Sequence, residues 1–158
     1  MRLRRTKVPE SVLAITDRRL AWGVTEDGVA LVASPDCLHI GTETSVPWWT
    51  VERVGWATPT LRVAEIAEVE GAGRVHLWEL AEDHDLAATI RERVTASVAW
   101  SDLRKLAPSG TVRLVGRRVP DQEVLTWQAV WQTDADPHDP FLRAQVDAHL
   151  DSLRKSIG

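Results

Sequence analysis

Tyrosine is absent from this 158-residue chain, and cysteine, methionine and phenylalanine occur once each. The missing phenol removes one common general acid. The single cysteine, Cys37, excludes an intramolecular disulfide and any multi-cysteine zinc site. That usage fits a reducing compartment. No window approaches the roughly 18 apolar residues of a membrane span. The N-terminal MRLRRTKVPESVLAI also lacks the ~7–15-residue apolar stretch of a secretory signal. These absences predict a soluble, cytoplasmic protein with no membrane partner. There is no glycine-rich nucleotide loop and no Gly-x-Ser-x-Gly elbow. Neither a catalytic residue nor a cofactor is read from the sequence.

The charge balance excludes little but points away from polyanions. Net charge is −4, with 19 basic and 23 acidic residues mixed along the chain. Nucleic-acid and membrane-surface binders usually carry a basic face. Arg18-Arg19, Arg117-Arg118 and the RLRR arm could contact phosphates, but most tryptophans lie on apolar faces rather than alternating with them. A solvated face is the preferred reading, and nucleic-acid binding through an Arg-rich surface is kept as an alternative.

What the chain does have is eight tryptophans and clear periodicity. Residues 1–10 show none and read as a mobile basic arm. Leu20, Trp22 and Val24 alternate, TEDG (25–28) supplies turn residues, and VALVA (29–33) is apolar on both faces, as a central strand would be. Ser34-Pro35-Asp36 then turns into a short CLHIG strand. Leu61 and Val63 alternate, and a Gly-Ala-Gly turn (71–73) leads into RVHLWEL (74–80), a hairpin pattern.

From residue 82 the period changes. Leu86, Ile90, Val94 and Val98 recur every four positions, the stripe of an amphipathic helix over ~84–97, with Glu82, Asp83 and Asp85 placed as caps. Strand signals return in TVRLVGRR (111–118) and EVLTWQAVWQ (123–132), where Leu125, Trp127, Ala129 and Trp131 share a face. Asp139 then caps a C-terminal helix, ~140–156. Pro140 is its first residue and Leu142, Val146, Leu150, Leu153 and Ile157 form its stripe. The fold class is α+β: an antiparallel sheet, the helix at ~84–97, further strands over ~98–132 and the C-terminal helix. Residues 11–158 read as one domain.

Within LAWGVTEDGVALVASPDCLHIG and the following VPWWTVERVGW, the positions Pro47, Trp48, Val51, Val54 and Trp56 form a pattern that resembles bacterial PH-like domains. The likeness is to those of short actinobacterial proteins in particular, and ITDRRLAW (15–22) is similar to the opening of some of them. It covers residues ~11–98, with 99–158 as additional strands and helix. It implies a partly open barrel plugged by the helix, and a binding or assembly function without catalysis. Phosphoinositide binding is not implied, because the turn that carries basic residues in such binders is the acidic TEDG here.

Each remaining candidate has a structural counterpart. Trp22, Trp127 and Trp131 read as core, and Trp48 and Trp56 as inward-facing. Trp49, diverging from its neighbour, reads as partly exposed and, with Arg53, as a surface for a protein partner or a second copy of the chain. The clusters EDHD (82–85) and DADPHDP (134–140) lack metal-ligand spacing and precede helices, so capping explains them and no metal site is read. Cys37 and His39 share a strand face, but the thiol reads as a small core residue. The remaining alternative is a small-ligand protein or enzyme with a pocket between sheet and C-terminal helix.

Overall fold

The computed structural model describes residues 7–66 and 73–157. It is a mixed α+β protein, and its internal contacts divide it into two compact units, Met1–Val94 and Thr95–Gly158. The sequence reading takes 11–158 as one domain with a junction at 98/99; the contacts divide the chain at 94/95.

The first unit begins with α1 (Glu10–Leu13), so Glu10 belongs to a helix rather than to the expected arm. Residues 1–6 of that arm lie outside the described residues. Then follow β1 (Ala21–Thr25), β2 (Ala30–Ala33), β3 (Cys37–Ile40), β4 (Thr44–Pro47), a 3-10 turn over Trp48–Thr50, β5 (Val51–Ala57), β6 (Thr60–Glu65), β7 (Val75–His84) and α2 (Leu86–Ala96). Seven antiparallel strands form one sheet in the order β4-β3-β2-β1-β7-β6-β5.

That order forces the sheet to curl. β4 and β5 are its two ends, yet only the three residues of the 3-10 turn separate Pro47 from Val51. Such a link reaches at most about 14 Å. In a flat sheet, six inter-strand steps would hold the same strands roughly 29 Å apart. The sheet therefore bends into a half-barrel. Its concave side holds Leu31, Leu38, Trp48, Val51, Leu61, Val63 and Leu80, and α2 packs there through Leu86, Ala87, Ile90 and Val94. The expected stripe is correct to Val94, but Val98 opens the next strand instead.

β2 is buried along its whole length because each of its faces is covered. Leu31 and Ala33 point into the barrel. Ala30 and Val32 join Trp22, Val12 and Ile15 in a second cluster on the convex side, under α1. VALVA is thus apolar on both faces for a simple reason: a single helical turn lies behind it.

The EDH segment departs from expectation. Glu82, Asp83 and His84 continue β7, with Gly23 and Val24 of β1 opposite Asp83 and Glu82. Only Asp83 acts as a cap, its Oδ1 accepting the Leu86 N–H at 2.8 Å. Of the expected Gly71-Ala72-Gly73 turn, the first two residues lie outside the described residues.

The second unit is an antiparallel sheet, β10-β9-β8, with one helix. Its strands are β8 (Val98–Lys105), β9 (Thr111–Arg117) and β10 (Thr126–Trp131), and its helix is α3 (Pro140–Ser156). Asp139 caps α3 by accepting the Phe141 N–H, and Pro140 is its first residue. Leu142, Val146, Leu150 and Leu153 meet Val112, Leu114 and Trp127 in an apolar layer, with Leu125, Ala129 and Trp131 packed against it. Ile157 falls at the helix end and is 48% exposed, outside the stripe.

Gly23 is where the first unit tolerates least change. A Cβ there would lie 2.8 Å from the Glu82 carbonyl oxygen and 2.8 Å from Leu86 Cδ2. Gly23→Ala is expected to lower unfolding free energy by about 1–3 kcal/mol in urea titration. Gly55→Ala, whose Cβ would meet nothing nearer than Arg62 Cβ at 3.6 Å, should change it by less than about 0.5 kcal/mol.

Candidate functional site

The tryptophan-rich segment 46–56 resolves into three different environments. Trp48 is 2% exposed, and its indole Nε1–H donates to the Ser34 carbonyl at 2.9 Å. Burying an indole removes about 150–250 Å2 from water, roughly 4–6 kcal/mol at ~25 cal/mol per Å2. The hydrogen bond adds direction: it fastens the 3-10 turn to the end of β2. Trp56 is half-buried and packs against the barrel interior. Trp49 is half-buried within the 3-10 turn.

Arg53 lies just beyond, on β5. Its side chain is 47% exposed, with Nε 3.4 Å from the adjacent Glu52 carboxylate. A solvent-accessible pair of this length, between an exposed Arg53 and a half-buried Glu52, contributes little to stability. Strand register sets its surroundings. Arg53 is opposite Ala64, which is opposite Val75; Gly55 is opposite Arg62, which is opposite Leu77. Cross-strand partners share a face, so these six residues lie on the convex side of β5–β7, where Ala64 is covered and Glu79, two residues beyond Leu77, is exposed. Leu77 is 65% exposed and Val75 49%. Pattern reading of RVHLWEL finds the strand but not which of its apolar residues face outward.

A second cluster gathers at the end of β2. Ser34, fully buried, closes the turn into β3: its N–H donates to the Cys37 carbonyl at 2.9 Å, and its hydroxyl donates to the same oxygen at 2.9 Å. The turn presents Cys37 and, two residues on along β3, His39 on the same face. Asp17 arrives from the loop between α1 and β1. His39 Nε2 lies 3.1 Å from Asp17 Oδ2 and 3.4 Å from Cys37 Sγ, and the ligand atoms of all three residues fall within 4.8 Å of one another. The Ser34 hydroxyl is 3.4 Å from the same sulfur.

The His39 hydrogen bond is the chief cause holding the Asp17 carboxyl below its ordinary range, with help from the Arg18 N–H. Asp17 is therefore a carboxylate at neutral pH. Sequence reading pairs Cys37 with His39 but does not find Asp17, whose approach depends on α1 and its loop.

The two acid-histidine stretches have structural occupations. His84 stacks on Trp22 with ring centroids 3.9 Å apart. Asp134 accepts from the Thr111 N–H at 2.9 Å and the Thr111 hydroxyl at 2.6 Å, and Asp136 accepts the His138 N–H at 2.9 Å. An open depression of about 260 Å3 lies in the first unit, lined by Trp56, Asp83, Asp85, Ala87, Ala88 and Arg91. Between the second unit's sheet and α3, side chains form the apolar layer already described. Among the described residues, no helix is long and apolar enough to cross a membrane.

No family model, curated protein or solved structure matches the chain.

Trp48→Phe keeps an aromatic ring but removes the donor to Ser34. Unfolding free energy should fall by about 1–3 kcal/mol, the cost of leaving a buried acceptor unsatisfied. Alkylation of Cys37 should also accelerate as the turn loosens, which a timed thiol-labelling assay reads directly.

Proposed function

We propose that this protein is a non-enzymatic binding or assembly module. It engages a protein, either a partner or a second copy of the chain, through the convex face of β5–β7 together with Trp49. The observation that carries this reading is the exposure of Leu77 and Val75 on a strand face bordered by Arg53 and Arg62. Solvent-facing strand positions normally carry polar side chains. Apolar groups beside guanidiniums are what protein interfaces favour, since Arg is enriched there.

A PH-like barrel is part of the same proposal. Its support is the seven-stranded half-barrel with α2 packed into its concave side. The turn between β1 and β2 stays acidic, with Glu26 and Asp27 exposed, so a protein rather than a phosphorylated headgroup is the proposed ligand.

The test uses Leu77→Ser, Arg53→Glu and Trp49→Ala in the full chain. Sedimentation equilibrium measures self-association. Crosslinked capture from the native host, with each variant as control, measures a partner. Leu77→Ser should leave the unfolding midpoint nearly unchanged, as surface substitutions do within about 0.5 kcal/mol. It should weaken association at least about tenfold, since burying a leucine side chain contributes about 1.5–3 kcal/mol. Binding that is indifferent to both Leu77→Ser and Arg53→Glu would overturn the reading. A large stability loss in Trp49→Ala would assign that indole to the core.

A further inference from the structure

Asp17, Cys37 and His39 form a constellation that the binding face does not use. Each offers a different donor atom, a carboxylate oxygen, a thiol sulfur and an imidazole nitrogen, from two separate parts of the chain. The decisive detail is which atoms meet. In a nucleophile–histidine–carboxylate relay, the nucleophile sits at one ring nitrogen and the carboxylate at the other. Here Asp17 Oδ2 and Cys37 Sγ both approach the same atom, His39 Nε2, at 3.1 and 3.4 Å. One nitrogen cannot serve both as the donor to Asp17 and as the acceptor of the thiol proton. The three groups converge on a point rather than forming a chain.

Convergence of this kind is what coordination requires. Zinc bonds of about 2.0–2.3 Å in a tetrahedron place neighbouring ligand atoms roughly 3.3–3.8 Å apart. The two shorter edges of the triangle are within a few tenths of an ångström of that range, and its ligand atoms all lie within 4.8 Å of one another. The scaffold is firm on one side: Cys37 and His39 project from one face of β3, and the buried Ser34 fixes the turn before them. It is accessible on the other, with side-chain exposures of 20% for His39 and 48% for Asp17. A hydrated ion could reach the triangle without opening the core.

We propose that Asp17, Cys37 and His39 bind one zinc-class divalent ion, leaving a fourth coordination position to water or an exogenous ligand. Thiolate and imidazole donors select zinc over calcium or magnesium, which require oxygen ligands. Ser34, whose N–H and hydroxyl both hold the Cys37 carbonyl at 2.9 Å, fixes the backbone from which the Cys37 ligand projects. This site is independent of the face on β5–β7 and does not rest on the proposed function.

The experiment uses the 158-residue chain stripped with a chelator, then titrated with Zn2+ or, as a spectroscopic substitute, Co2+. Because Cys37 is the chain's only cysteine, any thiolate signal is its own. Co2+ should produce a thiolate-to-metal charge-transfer band and tetrahedral ligand-field bands at one equivalent, both displaced by Zn2+. Zn2+ should raise the melting temperature and slow alkylation of Cys37, whereas Ca2+ and Mg2+ should do neither. Cys37→Ser should abolish the band. His39→Gln and Asp17→Asn should each weaken Zn2+ more than the roughly 10–100-fold typical of losing an outer-shell partner. Asp17 is exposed, so its variant remains informative should a change on β3 disturb folding, and metal-free melting curves of all three establish that they fold. Absence of the charge-transfer band, equal Zn2+ affinity in wild type and Asp17→Asn, or equal Cys37 protection by Ca2+ would overturn the site.

Discussion

The pairing of β1 with β7 holds the first unit together. It joins residues 23–25 to residues 80–83 and places the two three-residue-linked ends of the sheet where they can meet. Every other strand contact in that sheet is between neighbours in sequence, formed by short connections at small entropic cost. This one closes the longest loop in the sheet, and it does so beside Gly23, where a carbonyl and a leucine methyl approach too closely for any side chain. The position of α2 follows from it. Leu86 sits at the end of β7, so the register of β1 against β7 also sets how the helix enters the barrel.

Both candidate sites inherit their geometry from that closure. The curl brings the 3-10 turn over the end of β2, where Trp48 reaches the Ser34 carbonyl. Ser34 in turn shapes the bend that presents Cys37 and His39. On the convex side, the same sheet carries Arg53, Arg62, Val75 and Leu77 outward on strands whose opposite face is the core. The two surfaces therefore differ in kind: one is a small polar triangle fixed by a turn, the other a convex mixed face fixed by strand register.

Much of the fold is legible in the sequence, and the exceptions have physical causes. α2 and α3 are long enough for their four-residue spacing to register, and Asp139-Pro140 marks where α3 begins. β10 shows its period of two because Trp127, Ala129 and Trp131 meet the apolar layer, although Val130 is buried on the other face. α1 is a single turn, too short for any periodicity, and β4 is four residues with only Val46 buried. Glu82-Asp83-His84 reads as the prelude to a helix because acids favour caps, yet strand pairing with β1 claims these residues first. Cys37 and His39 are visible as an i, i+2 pair. Asp17 lies 22 residues from His39 in sequence, and no local pattern predicts contact over that distance.

β2 has a consequence for handling the protein. Its convex side, Ala30 and Val32 beside Trp22, is covered by residues from a segment only a few residues long, chiefly Val12 and Ile15. A one-turn helix has no stability of its own; it persists because those apolar surfaces need a cover, and they stay out of water because it persists. Proteolytic trimming past Ile15 would leave all seven strands in place and uncover a contiguous apolar patch, the kind of surface that drives aggregation. The one-turn helix thus acts as a cover for the convex side of β2, and removing it would expose apolar surface without removing a single strand.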